Sequence, residues 1–152
     1  MTHTFLLEPG RWTFSGHWLE RHGEAWPIHG KMLVAWSEDG WFTLISKLIF
    51  TDQENAGLPS RPDITLQYRG RLSLEDHQYP FVLQHSELGR IEGEGWIGPQ
   101  VITQRFWVLD GRDRRSGFES MYRIAADRYL LSGGILGGHQ LISTLEAIMN
   151  RQ

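Results

Sequence analysis

Seven histidines, His3, His17, His22, His29, His77, His85 and His139, are the first residues to test for chemistry. Two ligands on one strand must sit at i and i+2 to share a face, and no His-x-His occurs. His17 and His29 fall as cross-strand neighbours on the polar face of a first hairpin, and the surface is the expected place for the set. A haem site would need one inward histidine with an open distal side; His85 and His139 are the two to test. Cysteine is absent, which removes disulfides, thiolate nucleophiles and thiolate metal ligands. Glu92 and Glu94 share a face of Ile91-Glu92-Gly93-Glu94-Gly95-Trp96, about 7 Å apart, a spacing that could serve as acid and base. The solvent face of a Gly-rich strand is the expected reading. No Gly-x-Ser-x-Gly elbow exists, and neither Lys nor Ser/Thr follows Gly134–Gly138 as a phosphate loop requires. The sequence therefore assigns no catalytic residue, no metal ligand and no cofactor, and catalysis is the less favoured class.

Polar residues inside apolar strands carry more. Gln104 shares a face with Ile102, Phe106 and Val108, while Arg105 sits with Val101, Trp107 and Leu109. One of the two must point into a largely apolar side. An inward arginine is costly unless Glu119 or Glu146 neutralises it or an acidic ligand does. Trp36, Tyr68 and Tyr122 fall on faces that otherwise look buried. The candidate ligand-binding set is thus Trp36, Tyr68, Gln104, Arg105, Trp107, Tyr122 and Arg123.

The elements that must position these residues follow a period of two. Trp12, Phe14 and Trp18 share one face, as do Trp26, Ile28, Met32, Val34 and Trp36, and then Phe42, Leu44, Leu48 and Phe50. The cleanest alternation runs over 63–74, with Ile64, Leu66, Tyr68, Leu72 and Leu74 inward. Further strands are predicted at 79–85, 90–97, 101–109, 117–125, 128–136 and 140–150, separated by turns such as Glu38-Asp39-Gly40. The stretch 141–149 also fits a helical period, but its place after Gly137-Gly138 favours a strand. Residues 3–8 are expected to form at most a short helical turn, and 53–62 the longest loop.

About ten strands with short connections imply antiparallel meander pairing. One open sheet of that size would expose two edges, so a closed up-and-down barrel of about 8–10 strands is the expected fold, with a β-sandwich as runner-up. At 152 residues, a single domain over 1–152 is expected. Net charge is −3, and no Lys/Arg stripe appears beyond the hairpin tip Gly111–Arg115, so nucleic acid is not an expected partner. The N-terminus lacks a signal-peptide pattern, and no run reaches eighteen apolar residues; the expectation is a cytoplasmic protein without a membrane-spanning helix.

Gly10-Arg11-Trp12 at the head of the first strand resembles the Gly-x-Trp of the calycin superfamily, which includes lipocalins and fatty-acid-binding proteins. The resemblance implies a Trp that plugs the closed end of the barrel and packs against an Arg or Lys from a late strand, here Arg123 or Arg151. The other lipocalin motifs are not recognisable. Gln104-Arg105-Phe106-Trp107 through Met121-Tyr122-Arg123, with Ser132-Gly133-Gly134 and Ile142–Glu146, is also similar to the end of cyanobacterial bilin lyases, which are calycin barrels.

Three functional readings result. The first is a module holding a small apolar or amphipathic ligand, with an anionic end if an arginine faces it. The second is a bilin-lyase-like or other small-molecule enzyme on the same barrel. The third is a non-catalytic homodimer built on Trp-rich outer strands. A cavity below about 300 Å³ would count against the ligand readings.

Overall fold

The computed structural model describes residues 2–51, 61–73, 75–111 and 114–152, and its strands match the alternating stretches of the sequence. In order they are β1 (Gly10–Glu20), β2 (Ala25–Trp36), β3 (Trp41–Phe50), β4 (Ile64–Arg71), β5 (Gln78–His85), β6 (Gly89–Ile97), β7 (Val101–Val108), β8 (Arg115–Ala125), β9 (Arg128–Gly137) and β10 (Gln140–Arg151). The described residues contain no helix, and the ambiguous stretch 141–149 lies inside β10. Most of the expected 53–62 loop and the tip residues Arg112 and Asp113 lie outside the described residues.

Every strand pairs antiparallel with its chain neighbours, and β1 pairs with β10 from Trp12 opposite Arg151 to Glu20 opposite Ser143. The sheet therefore closes into a ten-stranded barrel, and the stacked-sheet alternative is not formed. Closure satisfies the main-chain donors and acceptors that an edge would leave open.

The period-two pattern decides what the barrel encloses. On β2 the inward residues Ile28, Met32 and Val34 are buried while Lys31 and Leu33 face solvent, and β5 alternates without a break from Gln78 to His85. Each large apolar side chain so buried contributes about 1.5–3 kcal/mol.

Inward rings are matched to glycines. Phe14 lies directly across from Gly30, Phe42 from Gly70, Phe81 from Gly93, Tyr79 from Gly95 and Phe106 from Gly117. A Cβ at any of these glycines would collide with the ring opposite. Each ring thus folds flat onto the wall where a neighbouring strand has no side chain, a cross-strand aromatic–glycine pairing that also covers bare backbone. Along the wall Tyr79 meets Phe42 at 5.4 Å and Phe81 at 6.2 Å between ring centroids.

The N-terminal segment stays within the expectation of at most a short turn and forms no helix. Leu7 N–H bonds Phe5 C=O at 2.9 Å and Leu6 sits at φ 71°, a tight three-residue turn rather than a helix. Phe5 and Leu6 are fully buried by it. They cap the barrel end formed by the start of β1 and the end of β10.

Candidate functional site

The capped end is saturated with contacts. Trp12 is completely buried, with Phe5 and Tyr129 edge-on at 5.5 Å and the Arg151 guanidinium 5.9 Å from its ring. Arg151, not Arg123, is therefore the late-strand cation beside this tryptophan, and its Nη1 also donates to Glu8 at 2.8 Å. His3 bonds the Gly98 carbonyl through Nε2 at 2.7 Å, which requires the proton there and leaves Nδ1 to accept from the Tyr129 hydroxyl at 2.8 Å. Burial lowers its pKa; the Gly98 bond opposes this and nearby Arg123 adds to it. Arg123 donates to the Thr2 carbonyl at 2.9 Å and to Gln100 Oε1 at 3.1 Å. One buried side-chain polar atom among the described residues lacks a partner, the Trp12 indole nitrogen.

Beneath the cap lies a hollow of about 70 Å³, running from Phe5 past Phe14, Met32, Leu48, Ile64 and Phe106 to Trp18 toward the opposite rim. That is room for about five waters, well below roughly 300 Å³, which counts against a ligand of ordinary drug size and leaves space only for a much smaller molecule. The Arg61 guanidinium stands over Phe50 at 4.2 Å and over Trp18 and Trp26 at 5.5 Å each, and meets Glu20 at 2.5 Å.

Polar groups line this hollow from six strands: Tyr68 on β4, His85 on β5, Gln104 on β7 and Glu119 on β8, with Ser46 on β3 and Ser143 and Thr144 on β10. Gln104 and Glu119 are direct cross-strand partners, and Glu119 faces Gly133 on its other side. Tyr68, reaching from the far wall, donates its hydroxyl to Glu119 Oε1 at 2.5 Å. Tyr79 donates to Gln104 Oε1 at 2.7 Å. Burial raises the Glu119 pKa, an effect only partly offset by the Tyr68 bond. Burial and the Glu119 charge push both tyrosines well above their ordinary range, so the phenols remain donors.

A ten-stranded barrel, capped at one end and hollow beneath the cap, can be compared with known structures. It resembles Rv2717c from M. tuberculosis. The likeness covers 94% of this chain and 91% of that one at a TM-score of 0.70 and 16% identity. A second structure, EF1p2_mFAP2b bound to DFHBI, matches over 99% of this chain and all of its own at a TM-score of 0.50 and 12% identity. At these identities the likeness establishes the fold alone. No protein-family model matches the chain, and no curated protein matches it by sequence.

The structure sorts the seven sequence candidates into three places. Tyr68 and Gln104 line the hollow. Trp36 and Arg123 belong to the capped end, where the Trp36 indole donates to Leu6 C=O at 2.8 Å. Arg105, Trp107 and Tyr122 are corrected to the outer wall. The Arg105 side chain is 64% exposed, pairs with Glu94 at 2.7 Å and lies 5.3 Å from the Trp107 ring; Tyr122 is 46% exposed. Of the two adjacent candidates Gln104 takes the inward position, because an amide with Tyr79 as donor costs less to bury than a guanidinium. Arg105 is therefore not inward and is not paired with Glu119 or Glu146; the buried arginine is Arg123, in the cap.

Two histidines correct the surface expectation. His3 is in the cap, and His85 lines the hollow, whereas His139 is exposed in the β9–β10 turn. His85 Nδ1 accepts from the backbone N–H of Glu87 at 3.1 Å and of Leu88 at 3.2 Å. The ring proton is therefore on Nε2, opposite to the arrangement in which a metal-bound histidine donates its second N–H outward. Burial pushes its pKa down to about 4, so it is neutral near pH 7.

Glu119 is the residue that sequence reasoning passed over, having entered only as a counter-ion for arginine. Its signal was available: Gly117, Met121 and Arg123 are inward by period two, and Glu119 shares their phase.

Proposed function

We propose that the barrel is a binding protein for a small, mainly apolar molecule that lodges in the hollow with its polar end against Tyr68, Gln104 and Glu119. The observation that carries this reading is the convergence of a Tyr–Glu pair and an amide, from three separate strands, on a hollow whose remaining lining is mainly apolar. Pockets that orient a ligand have this composition, apolar walls with a few fixed polar groups. The similar barrel EF1p2_mFAP2b, bound to DFHBI, supports the idea that a barrel of this general fold can hold a small molecule. The Gly10-x-Trp12 motif and the Arg151 guanidinium beside Trp12 support a calycin-like reading of the barrel.

Size narrows the ligand. With room for about five waters, the hollow suits a molecule of comparable heavy-atom count unless wall side chains move. A linear tetrapyrrole is many times larger, which favours small-molecule binding over the lyase-like reading. Polarity narrows it too: the anionic end anticipated from an inward arginine has no cation to meet it, whereas a donor end has Glu119.

The test uses butan-1-ol, a probe of five heavy atoms, followed through the methyl signals of methionine. Met32 and Met121 line the hollow and Met149 is buried outside it. Saturable shifts confined to Met32 and Met121, weakened at least tenfold by Ser46→Met, support the proposal. Absence of saturable binding, or shifts spread to Met149 and insensitive to Ser46→Met, overturns it.

A further inference from the structure

We propose that the hollow is selective for small organic amines, bound as ammonium ions against the Glu119 carboxylate. This deepens the reading above and rests on it. Among the described residues Glu119 is the acidic group lining the hollow, and no lysine or arginine lines it with Glu119. The other titratable side chains that face the space are Tyr68, which donates to Glu119, and His85, which is neutral near pH 7. Tyr79 is engaged with Gln104, and Arg61 stands at the rim with Glu20. Arg123 is spent on the cap. A carboxylate in such surroundings lacks a counter-charge, and a ligand that carries one supplies the missing partner.

The walls suit the same chemistry. An ammonium head at Glu119 lies within an enclosure that includes the rings of Tyr68 and Phe106, whose faces attract cations. Gly133, across the ladder from Glu119, has no side chain to fill the space beside the carboxyl. An alkyl tail then lies along Phe14, Leu48 and Ile64 toward Trp18.

In the free protein burial favours the neutral carboxyl, and the amine arrives from water as an ammonium ion. The complex pairs ammonium with carboxylate, so the carboxyl proton leaves to solvent and no other group changes charge. Amine affinity must therefore rise with pH over the range in which free Glu119 is protonated, while affinity for a neutral isostere must not.

Butylamine, butan-1-ol and butyrate, matched in chain length, separate the possibilities in methionine-methyl titrations of the intact protein. The expected result is butylamine at least tenfold tighter than butan-1-ol at pH 7.5, butyrate weaker than both, and butylamine affinity increasing with pH across the range in which the free Glu119 carboxyl titrates, above its ordinary 4.5. Glu119→Gln should bring the butylamine/butan-1-ol ratio to about one. If that variant does not fold, the pH dependence on the unaltered protein decides. Binding of butan-1-ol with no preference for the amine, or an amine affinity flat with pH, overturns this inference and leaves the proposed function standing. Failure of all three probes overturns both.

Discussion

The cap and the hollow are built on the same alternating strands, yet their inward polar groups have different fates. At the capped end His3, Tyr129 and Arg123 bond to the main chain or side chains of the N-terminal segment and the turns around it. Around the hollow Tyr68 and Glu119 bond each other across the lumen. The cap consumes its polar groups in structure, whereas the hollow keeps an acid without a counter-charge. Buried polarity alone does not mark a site; buried polarity facing space does.

This contrast can be broken, and the largest effect is expected at the cap. Trp12→Ala should lower stability by about 3–5 kcal/mol, the range for deleting a large buried aromatic side chain. Chemical denaturation measures it, and a loss under 1 kcal/mol would mean that the cap does not organise the barrel. Next is acid. A histidine whose folded pKa lies below its unfolded value withholds a proton that the unfolded chain accepts, so stability present above pH 6.5 is lost as pH falls toward 4. For His85 the loss is about 3 kcal/mol, with His3 adding in the same direction. Denaturation midpoints across this window should fall in the unaltered protein and fall less in His85→Gln.

Glu119 has the opposite sign. Its folded pKa is raised, so its contribution is complete below the unfolded value of 4.5 and is lost as pH climbs through the folded one. The stability of Glu119→Gln relative to the parent should therefore improve as pH rises above 4.5; a difference that does not change with pH would show that the carboxyl is structural. Arg123→Met should cost about 2 kcal/mol through two abandoned acceptors, with ligand binding in the hollow unchanged. A binding defect there would erase the distinction between the two regions. The smallest effect belongs to the outer wall, where Arg105→Ala should stay within about 1 kcal/mol because an exposed ion pair contributes little.

The strands were legible because every one repeats a two-residue period long enough to show which residues share a face. The site was legible in part. Tyr68 and Gln104 stood out as polar groups in apolar phase. Arg105, Trp107 and Tyr122 misled because β7 and β8 carry large apolar residues on both faces, such as Phe118 and Tyr122 outside and Met121 inside. Amphipathic contrast is then weak, and period two reports two faces without saying which is inner.

By itself, the chain determined ten alternating strands, their turns and the need to seal two edges, since these follow from local periodicity and from main-chain groups that must be bonded. Tertiary structure alone decided which glycine lies beneath which ring, that β4 brings Tyr68 across the lumen to Glu119 on β8, and that His3 seals the cap 126 residues away from Tyr129. Those contacts depend on register summed around a closed circle of strands. No window of sequence contains that sum, because each partner is chosen by the strand opposite.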